Sequence, residues 1–421
     1  MPSSKTLYQQ VRSANTLRKS WAKVNRNALS SPNSKAREEA RLFGTSIDRH
    51  LSRIARQLRY EKFKFGESYG ALGKKSSGKN RPIVVAPLEN RIVQRAILET
   101  LHSIPSLSSI INIPTSCGGI PKRSVRYGLE CAHKKITADG EYFYKSDIRD
   151  FFTKISKSAV IDALAFHIED EKFLRLIEDS LETILVNEKA IGEEIRLFPT
   201  GDLGVAQGSC LSPFLGNLLL WEFDRATNSE DVMCLRYIDD FLILGPSKSA
   251  VKTKLRAGKK ILTKLGMEIY DHSTHPDKAS LGLSSDGFEF LGCNVDKNMI
   301  FPVRNRVRHL IASIRKLVDF SLIAMNSTKH DRPLNKRSYV ETLDTIHNTA
   351  RAWGNHYQFC NNKLLFTHVD KNISDEINRL TAGYLDALAD IDYDDFEQRR
   401  RILGVHLLAD SKYDPIVKTE S

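Results

Sequence analysis

Two adjacent carboxylates sit inside an apolar, β-prone run, LRYIDDFLIL (residues 235–244). The flanks read as two short strands, and Ile238, Asp239 and Asp240 read as the tight connection between them. Two like charges side by side in such surroundings are unfavourable unless something positive offsets them. A second acidic cluster lies upstream in YKSDIRDFF (144–152), where Asp147 ends an expected strand. If the two strands are neighbours, Asp147, Asp239 and Asp240 converge. Hard oxygen ligands with no His or Cys beside them suit Mg²⁺, with Mn²⁺ as the alternative, rather than zinc. A pair of such ions is what phosphoryl transfer to a nucleotide needs.

The elements that must position these groups follow from periodicity. Ile47, Leu51, Ile54 and Leu58 fall on one face of a helix expected over 35–59, and Arg49, Arg53 and Arg56 fall on the opposite face, a candidate backbone-phosphate surface. GKKSSGKN (73–80) reads as a basic loop, and 81–87 as a strand ending at Pro87. Helices are expected over 88–103 (buried face Ile92, Val93, Ala96, Ile97, Leu101), 157–167, 170–186, 211–226 and 250–266, with short strands over 287–303. From about 305 only helices are expected: 305–325, 336–357 and 370–390. This divides the chain into a basic arm (1–34), an α+β unit (35–303), a helical unit (304–390) and a tail (391–421).

The 421 residues carry a net charge of +12, and residues 1–60 hold 13 Lys/Arg against 3 Asp/Glu. That excess suits a polyanionic partner, nucleic acid being the usual one. No apolar run approaches the ~20 residues of a membrane helix, and no signal-peptide pattern is present, so the expectation is a cytoplasmic protein with no membrane partner. The six cysteines include no CxxC pair, which argues against a zinc ribbon or a disulfide framework.

RYIDDFLIL resembles the Tyr-x-Asp-Asp hairpin of reverse transcriptases, and KSDIRDFF their first catalytic strand. AQGSCLSPFLGNLLL (206–220) resembles the segment beside the nascent base pair. GKNRPIVVAPLENRIVQRAIL (78–98) resembles the fingers of bacterial enzymes related to group II introns and retrons. HPDKAS (275–280) and FLG (290–292) resemble later palm motifs. The resemblance implies a right-hand polymerase of α+β class, with fingers and a palm built on an antiparallel sheet, followed by an all-α thumb. It makes Asp147, Asp239 and the carbonyl of Ile148 metal ligands, with Asp240 the third carboxylate. Phe152 becomes a steric gate against a ribose 2′-OH. Lys79 and Arg81 grip the triphosphate of the incoming nucleotide, which Arg149, Asp150, Phe151, Gln207 and Gly208 also contact. Lys278 neutralises or protonates pyrophosphate. Arg304 and Arg308 of the thumb join Arg49, Arg53 and Arg56 in tracking the duplex.

The implied partners are dNTPs, a DNA product and an RNA template, a dedicated non-coding RNA among the candidates; a protein partner or homo-oligomer stays open. The Gln and Ser-Pro of 207–213 are intact, unlike in diversity-generating retroelements, while GGIPKRS (118–124) departs from the group II Gly-Phe-Arg core. No retron Val-Thr-Gly follows the palm, and no HNH or cysteine-rich segment follows the thumb. The nearest resemblance is therefore to stand-alone enzymes of antiphage defence and abortive infection. Untemplated or protein-primed synthesis, a group II intron splicing role, and a catalytically dead nucleic-acid-binding module remain as alternatives.

Overall fold

The structure is a computed structural model that describes residues 5–31, 33–74, 80–327, 334 and 336–411. It divides into two compact units, 1–286 and 287–421. No described helix is long and apolar enough to cross a membrane.

In the first unit a four-stranded antiparallel sheet runs in the order β4-β5-β3-β6. Its strands are β3 (Tyr142–Asp147), β4 (Met233–Tyr237), β5 (Asp240–Gly245) and β6 (Ser280–Leu283). β5 is central and apolar; Phe241 to Gly245 are all buried, so both of its faces are covered. The register pairs Tyr142 with Gly245 at one end of β3 and β5 and Asp147 with Asp240 at the other. A separate hairpin joins β1 (Tyr69–Lys74) to β2 (Asn80–Val85).

The helix Leu88–His102 is buried at Ile92, Val93, Ala96, Ile97 and Leu101, all 0% exposed, as its apolar spacing predicts. It packs against the helix Ala14–Leu29, whose Leu17, Trp21, Val24 and Ala28 are buried. The basic arm, expected to carry one helix around 17–27, does carry it, and that helix is packed into the core rather than free. Its Lys and Arg lie on the outer face of a helix whose apolar stripe belongs to the core. The single helix expected over 35–59 is two, Ser34–Gly44 and Ile47–Arg59, broken at Thr45 and Ser46. The expected helix over 170–186 ends at Leu181, where the chain turns extended to run beside the first hairpin. There Ser68 donates its N–H to Ile184, and the Asn187 amide bonds both backbone groups of Gly70 at 2.8 Å. A β-branched run (Thr183, Ile184, Val186) favours that conformation over helix.

The second unit holds a three-stranded antiparallel sheet, β7 (Phe288–Phe290), β8 (Cys293–Val295) and β9 (Ile300–Pro302), with the helices Arg304–Met325, Tyr339–Tyr357, Lys363–Ala389 and Phe396–Leu403. The division falls at 286 rather than near 303 because these strands bond to the helical part. Asn361 donates its N–H to Ile300 O and accepts from Ile300 N.

Candidate active site

Three chain segments build the acidic site. Asp147 is the last residue of β3 and Asp240 the first of β5, and they face each other as direct cross-strand partners. Asp239 occupies the two-residue turn between β4 and β5, since Tyr237 pairs with Asp240. Its carbonyl accepts the Ile148 N–H at 2.9 Å, which ties the turn to the end of β3.

Ile238, the other turn residue, has φ +63°. For a β-branched residue this is a costly conformation, on the order of 1–3 kcal/mol, that persists only when its surroundings enforce it. Here they do. The chain at 115–118 runs beside β4, with Arg236 N bonded to Thr115 O (2.9 Å) and Cys117 N to Arg236 O (2.8 Å). It brings Gly118 under the turn, where a Cβ would stand 2.5 Å from Ile238 N. Arg236 itself is buried and bonds the Ile238 carbonyl at 3.0 Å.

The electrostatics are those of a buried carboxylate cluster with two lysines, Lys145 and Lys278, beside it. The Asp240 carboxyl is pushed up to about 9, chiefly by burial, then by a hydrogen bond shared with Asp147 and by the charges of Asp147 and Asp239; Lys145 opposes this. Lys145 lies two residues before Asp147 on the same strand face. Lys278 stands 3.6 Å from the Asp147 carboxylate. Among the described residues no cluster of three His, Cys, Asp or Glu groups closes into a ready cation site. The donors nevertheless fit a hard divalent cation. They are oxygens only, and burial beside the Asp147 and Asp239 carboxyls raises Asp240 well above the usual carboxylate range, Lys145 offsetting only part of that. Asp147, Asp239 and Asp240 are the side chains that would hold such an ion.

Residues 72–295 match the family described as "Reverse transcriptase (RNA-dependent DNA polymerase)", more than half of the 421-residue chain. The chain belongs to the reverse transcriptase family. It is 26% identical over 255 residues to protein YkfC of Escherichia coli (strain K12), covering 52% of this chain and 64% of that protein. It is 28% identical over 156 residues to the group II intron-encoded protein LtrA of Lactococcus lactis subsp. cremoris, covering 37% of this chain and 24% of LtrA. The matched part is therefore less than two thirds of either relative. Similar solved structures include a partial Cas6-RT-Cas1–Cas2 complex (TM-score 0.35, 24% identity, 62% of this chain and 43% of that one). Another is telomerase from Candida albicans with a fragment of telomeric RNA (TM-score 0.44, 12% identity, 85% and 68%).

The other expected site residues fall as follows. Phe151 is 2% exposed and its ring lies against Gly216, so its side chain is core and reaches no nucleotide. Phe152, half-buried, stands beside it with ring centroids 5.2 Å apart. Asp150 begins a short helix at φ +48°, its carbonyl accepting from Thr153 and Lys154. Arg149 is engaged by Glu268 at 3.2 Å and stacks over Tyr270 at 4.9 Å, so holding a triphosphate requires exchanging Glu268. Arg81 is exposed on β2, while Lys79 lies outside the described residues. Gln207 accepts the Val84 N–H at 2.8 Å, and Gly208 (φ +122°) passes so near β2 that a Cβ would stand 2.6 Å from Val84 O. The Gln207 turn is thereby fastened to the strand that carries Arg81.

Arg49, Arg53 and Arg56 are exposed on the helix Ile47–Arg59, and Arg53 is bonded to Glu89. Arg304 and Arg308 are exposed in the second unit. Sequence reasoning missed Lys145, Ser116, Gly118, Asn217, Asp224 and Arg236. A buried arginine two residues before the Ile238–Asp239 turn gives no periodic signal, because its side-chain partners lie 12, 19 and 120 residues away.

Proposed function

We propose that this chain is an RNA-directed DNA polymerase that extends a 3′-OH with dNTPs. The observation that carries the reading is the pairing of Asp147 with Asp240 beside Asp239 in a turn held at a costly conformation. When bound there, two divalent cations activate the attacking 3′-OH and steady the leaving pyrophosphate. Asp147 and Asp239 would hold them, and the Ile148 carbonyl and Asp240 would complete the donor set. Lys278, already at Asp147, supplies positive charge to the departing pyrophosphate. Arg81 and Lys79 grip the triphosphate, and Gln207 and Gly208 set the floor beneath the base pair. Phe152 excludes the ribose 2′-OH. The exposed arginines at 49 and 56, with Arg304 and Arg308, bind the template–product duplex through its phosphates.

The proposed template is RNA, the setting cytoplasmic, and the biological role antiphage defence, which the motif resemblance supports. The test is primer extension on an RNA template, and sequencing of DNA co-purifying from cells, wild type beside Asp239→Ala/Asp240→Ala. Defined cDNA with wild type alone supports the reading. Homopolymer product points to untemplated synthesis, and absence of any incorporation overturns the polymerase. Phage plating on cells with each form tests the defence role, and equal plating refutes it. Similarity to LtrA favours one second reading, a group II intron splicing role, which loss of intron splicing on deletion would reveal.

A further inference from the structure

Beneath the Ile238–Asp239 turn lies a buried polar cluster that none of the proposed chemistry uses. Arg236 and Asp224 are 1% and 2% exposed. The guanidinium Nε and Nη2 bond both Asp224 oxygens, at 2.7 and 2.5 Å. Nη1 bonds Asn217 Oδ1 at 2.8 Å and the Ile238 carbonyl at 3.0 Å. Nη2 also bonds Ser116 Oγ at 2.9 Å. Every one of the five guanidinium donors is thus taken. Asn217 uses its other end to bond Gly118 O at 2.9 Å. Gly118 is the residue whose missing Cβ leaves room for Ile238 N.

A buried ion pair is a poor stabilising device, since apolar side chains of similar volume often do as well. A planar fork with all donors filled is instead a good device for fixing geometry. The cluster joins three elements: the helix Ser212–Leu219 through Asn217, the helix Trp221–Thr227 through Asp224, and the 115–118 segment through Ser116. All of them meet at the one guanidinium, which in turn donates to a single backbone carbonyl, that of the residue at φ +63°.

We propose that Arg236 is a positioning residue: with Asp224, Asn217 and Ser116 it forms a clamp that holds the Ile238 peptide in its positive-φ conformation and so fixes Asp239 beside the Asp147–Asp240 pair, where it would serve as a cation ligand. Arg236 touches no substrate; it acts through the turn. The ligand role of Asp239 rests on the polymerase reading above, whereas the clamp on the turn does not.

The test uses the full chain with Arg236→Met/Asp224→Leu, which removes both charges together, and Arg236→Lys, which keeps the charge but cannot fork. A merely structural ion pair predicts wild-type kcat in any variant that folds, and rescue by lysine. The clamp predicts a cooperative melt for Arg236→Lys, with kcat down about 100-fold and KM for dNTP within about threefold, as misplacement of a reacting group by about 1 Å gives. The readout independent of activity is hydrogen exchange at the Ile148 amide, which bonds Asp239 O. The clamp predicts that its protection falls at least about tenfold in whichever variant folds. A folded variant with wild-type kcat or unchanged Ile148 protection overturns the proposal. Were wild type itself inactive on every template, the polymerase reading would fail alone, and the exchange comparison would still decide the clamp.

Discussion

Asp147 and Asp240 stand directly opposite each other across β3 and β5, and Asp240 is pushed up to about 9 by burial, by its bond to Asp147 and by neighbouring charge. A carboxyl whose folded-state value exceeds its unfolded one binds more protons folded than unfolded between the two values. Stability therefore falls as pH rises across that window. In chelator, the melting temperature of the protein should drop from about pH 4 toward about pH 9 on account of this group. Mg²⁺ should flatten the slope by displacing the proton from Asp240 and offsetting its charge, and Asp240→Asn should flatten it without metal. Thermal melts across pH, with and without Mg²⁺, check this; a slope indifferent to both changes removes the carboxylate cluster as its cause.

Lys278 is the second test of the same cluster. It stands 3.6 Å from Asp147. Its side chain is about a third exposed, so its charge is partly screened and its structural contribution is small. Lys278→Met should leave the melt within a degree or two while lowering kcat by about 100- to 1,000-fold, the range for loss of one donor to developing charge. Single-turnover incorporation reads the effect on chemistry directly. Equal turnover in the two proteins would make Lys278 a surface lysine.

The acidic pair and the central helix were legible because their signals are local. Asp239 and Asp240 interrupt an apolar run, and Ile92, Val93, Ala96, Ile97 and Leu101 recur at helical spacing. The N-terminal segment reads as a basic arm with one helix around 17–27; that helix is present, and what the sparse stripe Leu17, Trp21, Val24 and Ala28 did not reveal is that it belongs to the core. Arg236 was illegible for a different reason. Alternation along β4 says only which face it occupies, and its neutralising partner Asp224 comes from a helix that sequence alone does not place there. Phe151 and Phe152 illustrate the same limit. Adjacent aromatics look alike in sequence, and only Gly216 beneath Phe151 shows which one is core.

That assignment makes Phe152 the gate to test. Its ring is held by Phe151 at 5.2 Å, so its position is set from below. Phe152→Ala should admit rNTPs, lowering the ratio of dNTP to rNTP kcat/KM by about 10- to 200-fold, the range for relief of a hydrophobic size exclusion. Phe151→Ala should instead destabilise the fold by about 3–5 kcal/mol. Incorporation assays with paired nucleotides separate the two. Unchanged sugar selection in Phe152→Ala would assign the gate elsewhere.

The exposed arginines of the helix Ile47–Arg59 give the last prediction, and the structure makes them unequal. Arg53 already bonds Glu89, so its release to a phosphate costs the bond it has. Arg49 and Arg56 face solvent with their charge uncommitted to any described ion pair. Each phosphate contact contributes about 0.7–0.9 to the slope of log affinity against log salt. Arg49→Gln and Arg56→Gln should therefore each lower that slope by nearly one unit on an RNA–DNA duplex, and Arg53→Gln by clearly less. Fluorescence anisotropy over a salt series measures it. Equal slopes in all three variants and wild type would make this face a solvated surface, and a full unit lost at Arg53 would mean that Glu89 gives it up on binding.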